Sequence, residues 1–80
     1  MNQYNDKGEF HGYWENYSYQ NLLLSKGNYI NGIKNGYWEG YWSNGIIDYK
    51  GNFTNDGPTG YWEWYNDEGE LVDKEFYLHP

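Results

Sequence analysis

The sequence predicts an all-β protein: an antiparallel meander of stacked β-hairpin repeats with a 24-residue period, in one strongly curled sheet. Three observations carry this. The tetrapeptide Gly-Tyr-Trp-Glu begins at Gly12, Gly36 and Gly60, 24 residues apart each time. The 80 residues include 11 Tyr, 5 Trp, 3 Phe and 11 Gly but no Ala, which disfavours helix and suits aromatic strands broken by turns. Asn44-Gly45 lies between two strand-like runs and is the strongest short hairpin signal.

More of each unit is in phase. Lys26, Lys50 and Lys74 recur with the period, as do Tyr17, Tyr41 and Tyr65, and the rings of Tyr29, Phe53 and Tyr77. A truncated copy precedes them, because Tyr4-Asn5-Asp6-Lys7-Gly8-Glu9-Phe10 mimics Tyr65-Asn66-Asp67-Glu68-Gly69-Glu70-Leu71. The whole chain, 1–80, therefore reads as one repeat domain: a partial repeat over 1–11, then repeats 12–35, 36–59 and 60–80. Strands are expected at about 13–18, 22–30, 37–43, 46–54, 61–65 and 70–78, with a short strand or hairpin near 3–11.

A two-residue type I′ turn at Asn44-Gly45 sets the expected register. Ser43 then faces Ile46, Trp42 faces Ile47, Tyr41 faces Asp48 and Gly40 faces Tyr49. Glu39 lands on Lys50, an ion pair of roughly 0.2–1 kcal/mol, and Trp38 lands on Gly51, where an indole covers bare backbone. The same offset pairs Glu15 with Lys26, Glu63 with Lys74 and Trp14 with Gly27, but Trp62 with Glu75, as suits a capping unit.

Alternation sorts the faces. Trp38, Trp42, Ile47, Tyr49 and Phe53 share the expected core face with Trp14, Leu23, Tyr29, Trp62, Trp64, Leu71 and Tyr77. The opposite face carries Tyr13, Glu15, Tyr17 and Lys26, then Tyr37, Glu39, Tyr41 and Lys50, then Tyr61, Glu63, Tyr65 and Lys74. A flat sheet would leave its indoles wet, so closure by curling, by a second copy or by a partner is expected.

Net charge is −7, and from Gly60 to Pro80 six acids accompany one base, Lys74. With no arginine and no basic patch, direct nucleic-acid binding and anionic membranes are disfavoured. A basic protein surface suits the chain better. Cysteine is absent, which removes disulfides and thiolate metal sites. The N-terminus is polar, without a secretory signal or spanning stretch, so a cytoplasmic protein of a bacterial host cell is expected.

Catalytic readings are weak. Glu15, Glu39 and Glu63 each face a lysine that would hold the carboxylate ionised. His11 and His79 belong to no ligand-spaced cluster, and Ser18, Ser25 and Ser43 have no histidine near them in sequence. No metal or cofactor is expected, and the chain reads as a non-enzyme.

Units of the form Asn-Gly-x-x-x-Gly-Tyr-Trp-Glu-x-Tyr, then Asn-Gly, then Tyr-Lys-Gly-Asn-Phe, occur best over Asn31 to Phe53. They resemble MORN-type repeats, in the variant of small bacterial antitoxin-like proteins, over nearly the whole chain from about Asp6. The resemblance implies hairpins stacked into an elongated, curled sheet, and binding of lipid headgroups or proteins. Acidity and the lack of arginine depart from lipid-binding versions.

The expected function is inhibition of a basic, nucleic-acid-handling partner by occlusion, as an antitoxin or phage anti-defence protein. The contact residues are expected to be Tyr37, Tyr41, Tyr61 and Tyr65, with Asp67, Glu68, Glu70, Asp73 and Glu75 imitating phosphate charge. The bland readings are half-exposed strand tyrosines and a solvated acidic edge. Two alternatives stand beside it: a glycan-binding module using the aromatic rows, and a structural unit that self-associates, as a homodimer, through a sheet edge or the Trp face.

Overall fold

The structure, a computed structural model, describes residues 2–78. Seven strands form one antiparallel sheet in chain order: β1 (Gln3–Tyr4), β2 (Phe10–Tyr17), β3 (Leu23–Ile30), β4 (Ile33–Tyr41), β5 (Ile47–Thr54), β6 (Gly57–Tyr65) and β7 (Leu71–Tyr77). No helix among the described residues is long and apolar enough to cross a membrane.

Strong curling is not found. The strands span 41 × 37 × 13 Å, a single open layer in which β1 and β7 are free edges. The expectation assumed that the indoles need a covering layer, yet Trp14, Trp38 and Trp62 are only 6%, 0% and 5% exposed. Cover comes from within the layer. Trp38 lies flat over Gly27, where an added Cβ would meet its ring at 2.2 Å, and Trp62 lies the same way over Gly51. Trp38 and Trp62 thus cover the glycine of the preceding hairpin, not the partner within their own hairpin.

Between the indoles stand smaller rings, edge to face. The line runs Trp14, Tyr29, Trp38, Phe53, Trp62, Tyr77, with centroids 5.0 to 6.4 Å apart. Such pairs contribute about 0.5–1.5 kcal/mol each beyond area burial. The indole N–H groups of Trp38 and Trp62 donate to the carbonyls of Asn28 and Asn52 at 3.0 and 3.1 Å. Trp14 donates to the Gln3 carbonyl at 3.0 Å, so the short β1 caps the first indole.

The middle register agrees with expectation for Glu39↔Lys50, Trp38↔Gly51 and Gly40↔Tyr49, but the turn does not. Gly45 N–H donates to the Trp42 carbonyl and Trp42 N–H to the Ile46 carbonyl, giving a three-residue loop. Only Gly45 (φ +88°) is left-handed there, as in a type I turn closed by a glycine bulge. Asn44 Oδ1 accepts from the Ile46 N–H at 3.0 Å, an Asx contact that favours this turn. The shift is undone by a bulge at Asp48, because Tyr41 stands opposite Ile47. Ile47, like Leu23 opposite Tyr17 and Leu71 opposite Tyr65, thus leaves the indole face assigned to it.

Type I′ turns lie at the other end of the sheet, at Asn31-Gly32 (φ +50° and +84°) and Asn55-Asp56 (φ +51° and +72°). They extend β4 and β6 back to Ile33 and Gly57, earlier than the expected starts. The first copy's loop resembles that of the last hairpin. The loops at Asn5 and Asn66 make the same backbone bonds, and their side-chain amides donate to Glu9 and Glu70 at 2.9 and 3.0 Å.

A methyl group on Gly51 would displace Trp62. Gly51→Ala is therefore expected to destabilise by about 3 kcal/mol, measured by urea unfolding with tryptophan fluorescence. A change below about 0.5 kcal/mol, the range of a neutral surface substitution, would contradict this packing.

Candidate functional site

The face opposite the indoles is organised around one row of charge. Glu15, Lys26, Glu39, Lys50, Glu63 and Lys74 stand in register across β2 to β7, alternating in sign. Because each inner strand has two neighbours, Lys26 and Lys50 each lie between two glutamates. The ion pairs form with the following hairpin, Lys26–Glu39 at 3.7 Å and Lys50–Glu63 at 3.4 Å, instead of within one hairpin as expected. The same ammonium groups sit over the rings of Tyr41 and Tyr65, at 5.8 and 5.5 Å.

Residues two apart on a strand share a face, so each glutamate is flanked by tyrosines. Tyr13 and Tyr17 donate to the two oxygens of Glu15, Tyr37 and Tyr41 to those of Glu39, and Tyr65 to Glu63. Burial opposes ionisation of Glu39, but the Tyr41 and Tyr37 hydroxyls and the Lys26 ammonium outweigh it and hold the carboxyl below its usual range. Glu15 and Glu63 are lowered as well, chiefly by the bonds from Tyr17 and Tyr65. Burial and the bond to Glu39 push Tyr37 up to about 12 and raise Tyr41 further. Such a row keeps its carboxylates charged at neutral pH; it does not tune one of them as a proton donor.

Among the described residues no group of three or more His, Asp or Glu is placed to hold a metal ion. His79 lies outside the described residues, and His11 Nδ1 accepts from the Asn31 N–H at 3.2 Å.

The nine residues expected to contact a partner do not form one patch. Tyr37 and Tyr41 on β4 and Tyr61 and Tyr65 on β6 share the charged face, with β5 between them. Tyr41 and Tyr65 are tied to their glutamates and partly buried. Asp67, Glu68 and Glu70 are exposed in the loop after β6, whose form is held by Asn66 Oδ1 accepting from the Glu68 and Glu70 N–H groups. Asp73 and Glu75 stand opposite Trp64 and Trp62, so they belong to the indole face.

The structure adds a residue that sequence reasoning passed over. Phe76 stands opposite Tyr61, where the earlier repeats place Asn28 and Asn52 opposite Tyr13 and Tyr37. The two rings meet at 4.7 Å, and Tyr61 is 74% exposed and Phe76 55% exposed. Among the described residues Tyr61, unlike Tyr13 and Tyr37, makes no hydrogen bond to its glutamate. The substitution of Phe for Asn was visible as a break in the repeat.

Stability is expected to be greatest between about pH 5 and 10. The glutamates' folded values lie below their ordinary 4.5, so their contribution is present above 4.5 and lost as pH falls through the lowered values. Tyr37 and Tyr41 lie above their ordinary 10.0, so theirs is present below 10 and lost as pH rises through their raised values, about 12 for Tyr37 and higher for Tyr41. Melting temperature against pH should show both limbs, with Glu39→Gln flattening the acid one; an unchanged acid limb would contradict the network.

Compared with known proteins, the chain matches no family model, no curated protein and no solved structure.

Proposed function

We propose that the chain is a non-enzymatic protein-binding module that inhibits a partner by occlusion, in the manner of an antitoxin or anti-defence protein. Its partner presents a basic surface. The observation that carries this is the composition of the C-terminal third. In the last hairpin an exposed aromatic pair, Tyr61 and Phe76, stands on the charged face, with exposed acids in its loop (Asp67, Glu68 and Glu70) and on its indole face (Asp73 and Glu75). Aromatic anchors supply packed area, and the surrounding charge selects and steers a partner of opposite sign.

A single layer suits this role, since both faces and the β7 edge are open to a partner. In the same reading the 24-residue hairpin is a MORN-type repeat, supported by its Gly-Tyr-Trp-Glu motif and by consecutive hairpins in one sheet. The tyrosine–glutamate–lysine row then serves as rigid scaffold, and selectivity resides where the repeat pattern breaks.

The test is co-purification from the source cells, with the captured protein then rebound as a pure component. Replacing Glu68, Glu70, Asp73 and Glu75 by their amides should weaken binding at least about tenfold and remove its salt dependence. Tyr61→Ser should weaken it comparably, at the scale of an aromatic anchor. Retained affinity in both variants would overturn the proposal, and binding of glycans that survives the amide changes would replace it with a sugar-binding module.

A further inference from the structure

Every inner lysine and glycine of the repeat is completed by the strand that follows it. Lys26 pairs with Glu39 and sits over Tyr41, and Lys50 pairs with Glu63 and sits over Tyr65. Gly27 is covered by Trp38, and Gly51 by Trp62. Lys74 is the third member of the lysine series, and β7 is the edge of the sheet among the described residues. Among the described residues Lys74 has no ion pair. The third member of the glycine series is Glu75.

We infer that the β7 edge accepts an extended strand of the partner, antiparallel to β7, with the pattern base–acid–base–aromatic. The acid lies opposite Lys74 and the aromatic two positions beyond it, as Glu39 and Tyr41 lie to Lys26. The flanking bases lie opposite Glu75 and Asp73, on the indole face. Opposite charges across an antiparallel pair attract and like charges repel, and strand addition to a free edge supplies the main-chain hydrogen bonds. This inference rests on the protein-binding reading above and gives it a docking mode.

A second copy does not fit the edge. Joined head to tail, a second copy would present its β1 edge, whose two residues, Gln3 and Tyr4, offer no acid to Lys74 and no base to Asp73 or Glu75. Pairing two β7 strands about a twofold axis centred on Asp73, Lys74 or Glu75 sets that residue against its own copy. Until a strand docks, Asp73 Oδ1 accepts the Lys74 N–H at 2.8 Å and covers the edge. The incoming carbonyl takes that N–H and frees the Asp73 carboxylate for the partner's base.

The probe is a labelled hexapeptide Thr-Lys-Glu-Lys-Tyr-Thr, compared with its sign-reversed form Thr-Glu-Lys-Glu-Tyr-Thr by fluorescence anisotropy on the full chain. Three opposite-charge pairs in place of three like-charge pairs should give a preference of about tenfold or more. New hydrogen-exchange protection should appear on β7. D73K/E75K should reverse the preference at the two flanking positions, and K74E, read separately, should favour lysine at the central one. Equal affinities, protection away from β7, or concentration-dependent protection of β7 without peptide would overturn the inference. Capture of the partner in the preceding experiment together with peptide failure would remove the edge and leave the binding module standing; failure of both would remove both.

Discussion

The fold depends on one contact, an indole laid flat on the bare backbone of a neighbouring strand. A single-layer sheet ordinarily leaves one face wet, and an exposed hydrophobic face of this size is an aggregation hazard. Here the glycine at position 27 or 51 lets the ring descend onto the strand itself, so the indole is buried by its own sheet. Fully burying one large side chain is worth roughly 1.5–3 kcal/mol. In a chain of this size, with no disulfide to help, two such contacts, together with the burial of Trp14 under β1, decide whether the sheet stands. Because Trp38 and Trp62 each reach back one hairpin, the contact also joins the repeats to one another.

Much of this was legible in the sequence, for a reason that includes an accident. The pairs Glu39↔Lys50 and Trp38↔Gly51 follow from counting outward from a two-residue turn, and they are present. The turn is a three-residue loop, and the bulge at Asp48 restores the count. What counting cannot reach is the choice between two neighbours. An inner strand of a meander faces one strand ahead and one behind, and spacing within a hairpin speaks only of the hairpin partner. Lys26, Lys50, Trp38 and Trp62 all make their closest contacts across hairpins. The absence of curling has the same root: the indoles found cover on the preceding hairpin's backbone, not in a second layer.

The candidate contact residues named from the sequence do not share one surface. Asp73 and Glu75 face one way and Tyr61 the other, which strand alternation implies once the register is set. Loop acids Asp67, Glu68 and Glu70 lie at the end of the hairpin. The features that set this third apart are departures from the period: Phe76 for asparagine and Glu75 for glycine. In a repeat protein the shared residues build the array, and the residues that break the pattern are where terminal chemistry is placed.

Ring currents test the indole-over-backbone contact most directly. The α-protons of Gly27 and Gly51 should be shifted upfield of those of Gly36 and Gly60, strand glycines over which no ring lies, in the proton NMR spectrum. Trp38→Leu should return Gly27 to an ordinary shift, and Trp62→Leu should do so for Gly51. Ordinary shifts in the unmodified protein, or a Gly51 shift that follows Trp38 instead of Trp62, would contradict the account.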